Sequence, residues 1–350
     1  MRLAARPSAD WIVIPAQVPA AARDEAIDTM RGIAILMVIG IHSLQQPLDT
    51  PWAVMIDAAL RPCVPVFLFV SGYLTALSGR VPLASRLKAT LTPYAIAFAA
   101  AYIYMALHNP AMDHRIVATL ARFGLAYVFV YYYVFVYIGC TLLMWLIFAV
   151  ARTAPAPNLN SRLVGLLVLS IGAGLLAGSY LDPALAHLGL ADSLIEEVRM
   201  RDIPFWFAFM ATGALVAMAC GPARRDTRMF LAAAALAAYA IYAAVRLVGI
   251  GDSAAYDSVA FFLYATLLCF WLLTAQPRSQ MLATIGSGSY FIYLWHIFIV
   301  MMLRDHAALR KLGPLLNTAM TFGLTLPLSV AALLTLRQIA SARALRWLGA

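Results

Sequence analysis

The segment Ala26–Ser43 reads AIDTMRGIAILMVIGIHS, and its run from Ile33 to Ile41 carries no charged residue. A helix needs roughly 20 mostly apolar residues to cross the hydrocarbon core of a bilayer. The segment has about that length and composition, so it predicts a membrane-spanning helix. Further apolar runs of comparable length follow it along the whole chain.

These runs predict an all-α integral membrane protein with about ten transmembrane helices. Only helices and closed barrels satisfy their backbone groups in lipid, and the runs are too long and too uniformly apolar for barrel strands. Proline and glycine residues separate them. The predicted helices cover residues 30–48, 61–78, 90–107, 126–150, 162–180, 203–220, 229–249, 256–275, 283–303 and 315–337.

The composition excludes a water-soluble domain. The 350 residues are 63% hydrophobic and 12% charged, whereas soluble domains carry about 25% charged residues. The mean hydropathy is +0.84. The net charge is +9, which we attribute to basic loops beside anionic lipid headgroups. No basic stripe or RNA-binding motif accompanies that charge, so nucleic-acid binding is not expected.

The distribution of basic residues predicts the orientation. If the amino terminus is cytoplasmic, 16 of the 25 lysines and arginines fall on the cytoplasmic side, as the positive-inside rule requires. The pattern favours both termini inside, although the group Arg304, Arg310 and Lys311 argues weakly against it. We predict a cytoplasmic tail over residues 1–27, a transmembrane domain over 28–340 and a second cytoplasmic tail over 341–350.

The amino-terminal residues do not resemble a signal peptide, because their apolar patch is too short. The predicted localisation is the plasma (inner) membrane, with many passes. The four cysteines lie far apart and form no CxxC motif, so neither a metal nor a redox site is expected.

Two ionisable residues in the first predicted helix are candidates for function. His42 follows Arg31 by eleven residues, which is about three helical turns, so both share one face roughly 16 Å apart. An ionisable group that deep in a bilayer normally faces the protein interior or a wet cavity. Two interpretations fit: a reactive pair, or a headgroup-anchoring arginine with a hydrogen-bonded histidine. Asp28 lies three residues before Arg31 and would pair with it.

Three segments resemble a known family. Residues 28–34 (DTMRGIA) with 40–42 (GIH) resemble the opening of the acyltransferase 3 family of bacterial membrane O-acyltransferases. Residues 65–74 (PVFLFVSGYL) resemble that family's second-helix pattern, and residues 289–296 (SYFIYLWH) resemble its late Ser-Tyr-x-x-Tyr-Leu-x-His signature. The resemblance extends over about residues 26–337, with these patches as its sharpest parts.

The resemblance implies an enzyme that transfers acyl groups other than amino-acyl groups, often acetyl from acetyl-CoA, to hydroxyls of surface polysaccharides, glycolipids or glycosides. It implies no bound cofactor, with acyl-CoA as co-substrate and a carbohydrate as acceptor. His42 would be the catalytic histidine and Arg31 its partner. Some members carry an Arg-x-x-Arg pair before the third helix, but here Ala89 stands three residues after Arg86.

The remaining candidates follow from position and chemistry. Arg86 and Lys88 lie on the predicted cytoplasmic side and would bind the phosphates of the donor, since a guanidinium matches phosphate geometry. Ser71 would open the second helix to substrate or help hold an oxyanion, or else simply permit close packing. With the resemblance, Asp28, Ser289, Tyr293 and His296 would line the cavity. Without it, Ser289, Tyr293 and His296 would form an interhelical hydrogen-bond set.

Other interpretations stay open at this point. Tyr131, Tyr132 and Tyr133 fit an interfacial aromatic belt or a wall for a sugar. Arg246 is expected to extend its side chain to the outer membrane surface. The alternative function is a transporter or exporter of a lipid-linked saccharide without acyl transfer, although the internal repeats that such proteins often show are not found.

Overall fold

The computed structural model describes residues 24–109, 111–128, 130–153, 155–219, 225–249, 256, 258–307 and 309–350. The first 23 residues of the predicted amino-terminal tail therefore lie outside the described part of the chain.

The described residues form helices and no strands, which confirms the all-α prediction. Two short 3-10 turns, Ala156–Asn158 and Leu309–Leu312, accompany the α-helices. The α-helices are α1 (Glu25–Ser43), α2 (Pro51–Leu60), α3 (Cys63–Ser78), α4 (Leu83–His108), α5 (Ile116–Gly124), α6 (Tyr132–Ala151), α7 (Leu159–His187), α8 (Asp192–Met200), α9 (Ile203–Ala219), α10 (Arg225–Val248), α11 (Val259–Ala275), α12 (Gln280–Ser287), α13 (Ser289–His306), α14 (Pro314–Ile339) and α15 (Ala342–Leu348).

Eight stretches in the described residues are long and apolar enough to cross a membrane. Two of them are paired helices, α2 with α3 and α8 with α9. The pair α12 and α13 would make a ninth, but its two helices are bent by 80° at Gly288. The apolar helix α11 has 17 residues and falls just short of the usual length. The protein is thus a multi-pass membrane protein, while ten spans and inward-facing termini stay predictions.

The first helix lies at the centre of the bundle. Asp24 caps it by accepting a hydrogen bond from the Ala26 N–H at 2.9 Å, and Glu25 and Asp28 add acidic charge to its first turn, where the helix dipole favours anions. Most of its residues are buried. The helix begins at Glu25, three residues before the predicted start of the transmembrane domain.

Helix α1 runs parallel to α13. Arg31 contacts Ser289 near the amino-terminal ends of both helices, and His42 contacts His296 further along both of them. Close approach to α12 is possible because Gly286 lacks a side chain: a Cβ there would lie 1.9 Å from the Asp28 carbonyl oxygen. This packing places two of the three sequence patches, the one around Arg31 and His42 and the one at residues 289–296, side by side.

The last helix, α15, lies within the predicted carboxyl-terminal tail. Ser341 caps it by accepting a hydrogen bond from the Ala344 N–H, and Gly349 ends it with a positive φ of 79°, which favours glycine. A Cβ on Gly349 would lie 3.0 Å from the Tyr290 ring and 3.3 Å from Pro93. The final residues therefore pack against α4 and α13.

Candidate active site

Arg31 is held by polar contacts from two helices. Its Nη2 donates to the Ser289 hydroxyl at 3.1 Å, and its Nη1 lies 3.5 Å from the carboxylate of Asp28. Asp28 is buried, whereas about a third of the Arg31 side chain stays exposed, at 32%. The guanidinium is therefore fixed in position and still reachable by a ligand.

A cavity of about 340 Å³ opens beside Arg31. It lies among α1, α3, α4, α6 and α13, and both cationic and aromatic side chains face it. Its lining residues are Arg31, Phe67, Val70, Ser71, Leu74, Arg86, Ala89, Thr90, Tyr133, Tyr137, Ser289, Tyr290 and Tyr293. A volume of this size is typical of small-molecule and cofactor sites.

Arg86 and Lys88 differ in their relation to this cavity. Arg86 lines it, and its Nη1 is buried without a hydrogen-bond partner in the described part of the chain. A buried N–H of a guanidinium is costly unless an anion or water accepts from it. Lys88 is exposed and is not among the lining residues.

Ser71 and Gly72 face in different directions although they are neighbours. Ser71 lines the cavity. A Cβ on Gly72 would lie 1.9 Å from the carbonyl oxygen of Met210, and one on Gly213 would lie 2.0 Å from that of Phe69. The two glycines therefore let α3 and α9 pack closely, while the serine faces the open side.

His42 and His296 lie against each other. Their ring centroids are 5.4 Å apart and their planes are inclined by 33°. His296 is fully buried. Its Nδ1 is within 3.0 Å of the Ile292 carbonyl oxygen and 2.9 Å of the Tyr293 carbonyl oxygen. Because carbonyl oxygens only accept, Nδ1 carries the hydrogen and Nε2 keeps its lone pair.

The Nε2 atom of His296 is buried and has no partner among the described residues. Beyond the histidine pair, Nη2 of Arg304 donates to the carbonyl oxygen of His42 at 2.7 Å. His42 itself is half-buried. The end of α1 is thus fixed by α13. Nε2 of His296 is available to accept a proton.

The ring of Tyr293 lies between the cavity and His296. Tyr293 lines the cavity, and its ring lies 6.3 Å from that of His296 and 5.4 Å from that of Tyr133. Neither His42 nor His296 is among the residues that line this cavity. The hydroxyl of Tyr293 donates to the Val130 carbonyl oxygen at 2.6 Å, which holds the ring in place.

Sequence reasoning missed several residues of the site. Tyr290 lines the cavity, and its hydroxyl donates to the Thr90 carbonyl oxygen at 2.7 Å. The sequence assigns Arg304 no role beyond its charge, whereas the structure places its guanidinium on the His42 carbonyl oxygen. Of the three neighbouring tyrosines, Tyr133 lines the cavity while Tyr131 is fully buried and donates to the Leu294 carbonyl oxygen. The family motif around 289–296 marked this region, but only packing shows which rings face the cavity.

The described residues contain no group of three or more histidine, cysteine, aspartate or glutamate side chains arranged to hold a metal ion. Cys63, Cys140 and Cys269 are buried as free thiols.

A family model described as an acyltransferase domain matches residues 24–334. No curated protein and no solved structure matches the chain. The match covers nearly all of the described bundle, including the cavity and the histidine pair.

Proposed function

The chain belongs to the acyltransferase domain family, and from this premise we propose that it moves an acyl group from acyl-CoA to a hydroxyl of a surface glycan, glycolipid or glycoside. Acetyl-CoA is the proposed donor, and the bacterial inner membrane is the proposed location. The observation that carries the proposal is the position of Arg31 and His42 on one helix. The cavity lies beside Arg31, and His296 lies against His42.

The proposed reaction needs a base at the acceptor. An imidazole nitrogen of His42 takes the proton of the acceptor hydroxyl, and the oxygen attacks the thioester carbonyl carbon. The carbon–sulfur bond breaks, and the thiolate takes the proton back from the imidazolium. Histidine suits this role because its unperturbed pKa lies near cellular pH. The products are an ester and free CoA, so no further reactant is required.

The donor would enter through the cavity. CoA carries several phosphates, and Arg31 and Arg86 both face this cavity. The buried, unpartnered Nη1 of Arg86 supports a bound anion there. With roughly 16 Å between Arg31 and His42 along α1, the pantetheine arm would carry the acyl group past Tyr133 and Tyr293 to the histidine pair. These two rings would have to move aside for it.

His296 would act as a positioning residue. Its Nε2 lone pair faces no donor in the described residues, and its ring lies beside that of His42. An N–H of His42 would donate to it, which would fix the tautomer of His42 with the other nitrogen free as the base. This resembles the way in which a second group orients a catalytic imidazole in other enzymes.

A transporter without acyl transfer is not favoured, because the matching family is one of acyltransferases. The two functions differ in what they leave on the cell surface. A transporter delivers the saccharide unchanged, whereas the enzyme adds an ester to it.

The test is mass analysis of cell-surface glycans and glycolipids from wild-type cells, a deletion strain, and deletion strains carrying His42→Ala or His187→Ala. His187 is exposed at the end of α7 and serves as the matched control. We expect a mass difference of one acyl group that is lost in the deletion and the His42→Ala strain and kept with His187→Ala. Unchanged acyl content in all strains would contradict the proposal.

A further inference from the structure

A second group of charged residues lies near the carboxyl-terminal half of α1. We call it the Asp57 cluster: Asp57 on α2, Arg61 just after α2, Arg246 near the end of α10, and Tyr256. Arg61 donates from Nε and Nη2 to the two oxygens of Asp57, at 2.8 and 3.0 Å. Arg246 donates from Nη1 to the same carboxylate. Arg246 is therefore paired inside the protein and 10% exposed, whereas its position alone predicted a side chain extended to the outer membrane surface.

Counted over the residues that the structure describes, the cluster holds one more positive charge than negative. The Asp57 side chain is 0% exposed, and those of Arg61 and Arg246 are 11% and 10% exposed. Both guanidinium groups stay protonated. Asp57 is the one carboxylate that either arginine contacts in the described part of the chain. A surplus charge away from water is expensive unless a counter-ion accompanies it.

The remaining contacts leave this surplus in place. The guanidinium carbon of Arg61 lies 4.2 Å from the centre of the Tyr256 ring, and that of Arg246 lies 5.8 Å from the centre of the Tyr242 ring. An aromatic face attracts a cation without neutralising it. Each guanidinium has five N–H donors, of which Asp57 occupies two on Arg61 and one on Arg246. Donors therefore remain for a further anion.

The cluster lies beside the proposed catalytic histidine. The Leu60 side chain packs on Gly40. A Cβ on Gly40 would lie 2.7 Å from Cδ1 of Leu60. Arg61 is the next residue after Leu60, and His42 is two residues beyond Gly40. Gly40 is nine residues beyond Arg31, or roughly 14 Å along the helix. The cluster is therefore close to His42 and well separated from the donor cavity at Arg31.

We propose that the Asp57 cluster binds an anionic group of the acceptor, a carboxylate, and so presents a hydroxyl of the same sugar to His42. The substrate class is an acidic saccharide such as a uronic acid. This inference rests on the proposed function. The carboxylate bridges Arg61 and Arg246, and the net charge of the occupied cluster becomes zero.

A purely structural cluster predicts a different outcome from an acceptor site. Arg246→Gln removes the surplus charge and leaves the two-bond pair of Arg61 with Asp57 intact, so no buried charge loses its partner. If Arg246 only joins α10 to α2, the variant changes stability and leaves acceptor preference unchanged. If it binds the acceptor, the preference for an acidic sugar falls.

The experiment uses the full chain in phosphatidylcholine nanodiscs, so that no anionic lipid competes. Acetyl-CoA is the donor, and p-nitrophenyl β-D-glucuronide and p-nitrophenyl β-D-glucoside are the acceptors, which differ only at the sixth carbon. Release of free thiol and the mass of the acylated glycoside give kcat/KM. We expect the wild type to favour the glucuronide by about tenfold or more, as a charge-assisted contact allows.

In Arg246→Gln the ratio of the two kcat/KM values falls to about one, through KM for the glucuronide, and Arg246→Lys keeps part of the preference. The control is Arg115→Gln, which alters an exposed arginine paired with Asp113 and leaves the ratio unchanged. A wild-type ratio near one, or a ratio that Arg246→Gln does not lower, overturns the proposal. The proposal is also overturned if Arg246→Gln lowers kcat/KM for succinyl-CoA relative to acetyl-CoA when the glucoside is the acceptor. That result would mean that the cluster binds an anionic group of the donor.

A binding measurement separates this inference from the proposed function. Sodium glucuronate, compared with glucose plus sodium chloride at the same ionic strength, raises the melting temperature of the wild type and has no such effect on Arg246→Gln. If that shift is seen while neither glycoside is acylated, the anion site stands and the acyltransferase proposal fails. If acylation proceeds and glucuronate gives no shift, the anion site fails alone.

Discussion

The two halves of α1 have different surroundings. Around Arg31 the bundle leaves a cavity of about 340 Å³ with two arginines facing it. Around His42 the helices are closely packed, with a second imidazole at 5.4 Å and the guanidinium of Arg304 on the backbone. In the proposed mechanism, separate parts of one helix would therefore supply space for a large donor and a fixed geometry for proton transfer.

The difference predicts that losses at the packed end reduce turnover, whereas losses at the open end weaken donor binding. A base acts only in the transition state, so its removal lowers kcat. Contacts with the distant phosphates of CoA hold the donor before and during the reaction alike, so their removal raises KM.

The largest expected effect is that of His42→Ala on purified protein. Loss of a general base costs about 10² to 10⁴ in rate, so thiol release from acetyl-CoA with a glycoside acceptor should fall by that factor. His187→Ala, at an exposed helix end, should keep the wild-type rate. A His42→Ala rate within about threefold of the wild type would show that the packed end is not where the chemistry occurs.

The next effect concerns donor binding at the open end. Arg86→Gln removes the buried donor that faces the cavity and should raise KM for acetyl-CoA about tenfold, with kcat little changed. The matched variant Lys88→Gln alters an exposed residue outside the cavity lining and should change KM by less than about twofold. Equal effects of the two substitutions would contradict the assignment of the phosphate site.

The smallest expected effect compares two adjacent residues. Gly72→Ala would place a Cβ 1.9 Å from the Met210 carbonyl oxygen and should lower stability by about 1–3 kcal/mol, as overpacking does. Ser71→Ala, on the cavity side, should stay within about 0.5 kcal/mol. Unfolding followed by tryptophan fluorescence in nanodiscs measures both. If Ser71→Ala proves the more harmful, the boundary between open and packed sides is misplaced.

Much of the helical layout was predictable because apolar length alone determines it. The positions at which the helices break could not be predicted in this way. The predicted helix 283–303 is divided at Gly288, where a Cβ would lie 2.4 Å from the Leu333 side chain, so the break depends on a distant helix. The predicted helix 61–78 is preceded by α2, and Asp57 on α2 bonds with Arg61, the residue that follows α2.

The site was predictable in its parts but not in its pairing. A spacing of eleven positions from Arg31 to His42 puts both on one helical face, and a spacing of seven from Ser289 to His296 puts these two on nearly one face. That these faces meet as Arg31 with Ser289 and His42 with His296 depends on the parallel packing of α1 and α13. No local pattern encodes a contact between residues more than 250 positions apart, and the Asp57–Arg246 pair was missed for the same reason.

The most direct measurement is a cryo-electron microscopy structure of the protein with a non-hydrolysable acetyl-CoA analogue. We expect phosphates at Arg31 and Arg86, the rings of Tyr133 and Tyr293 displaced from their present contact, and the acyl carbon beside His42. An analogue bound elsewhere, or one that ends in the cavity with both tyrosine rings unmoved and His42 out of reach, would contradict the proposed mechanism.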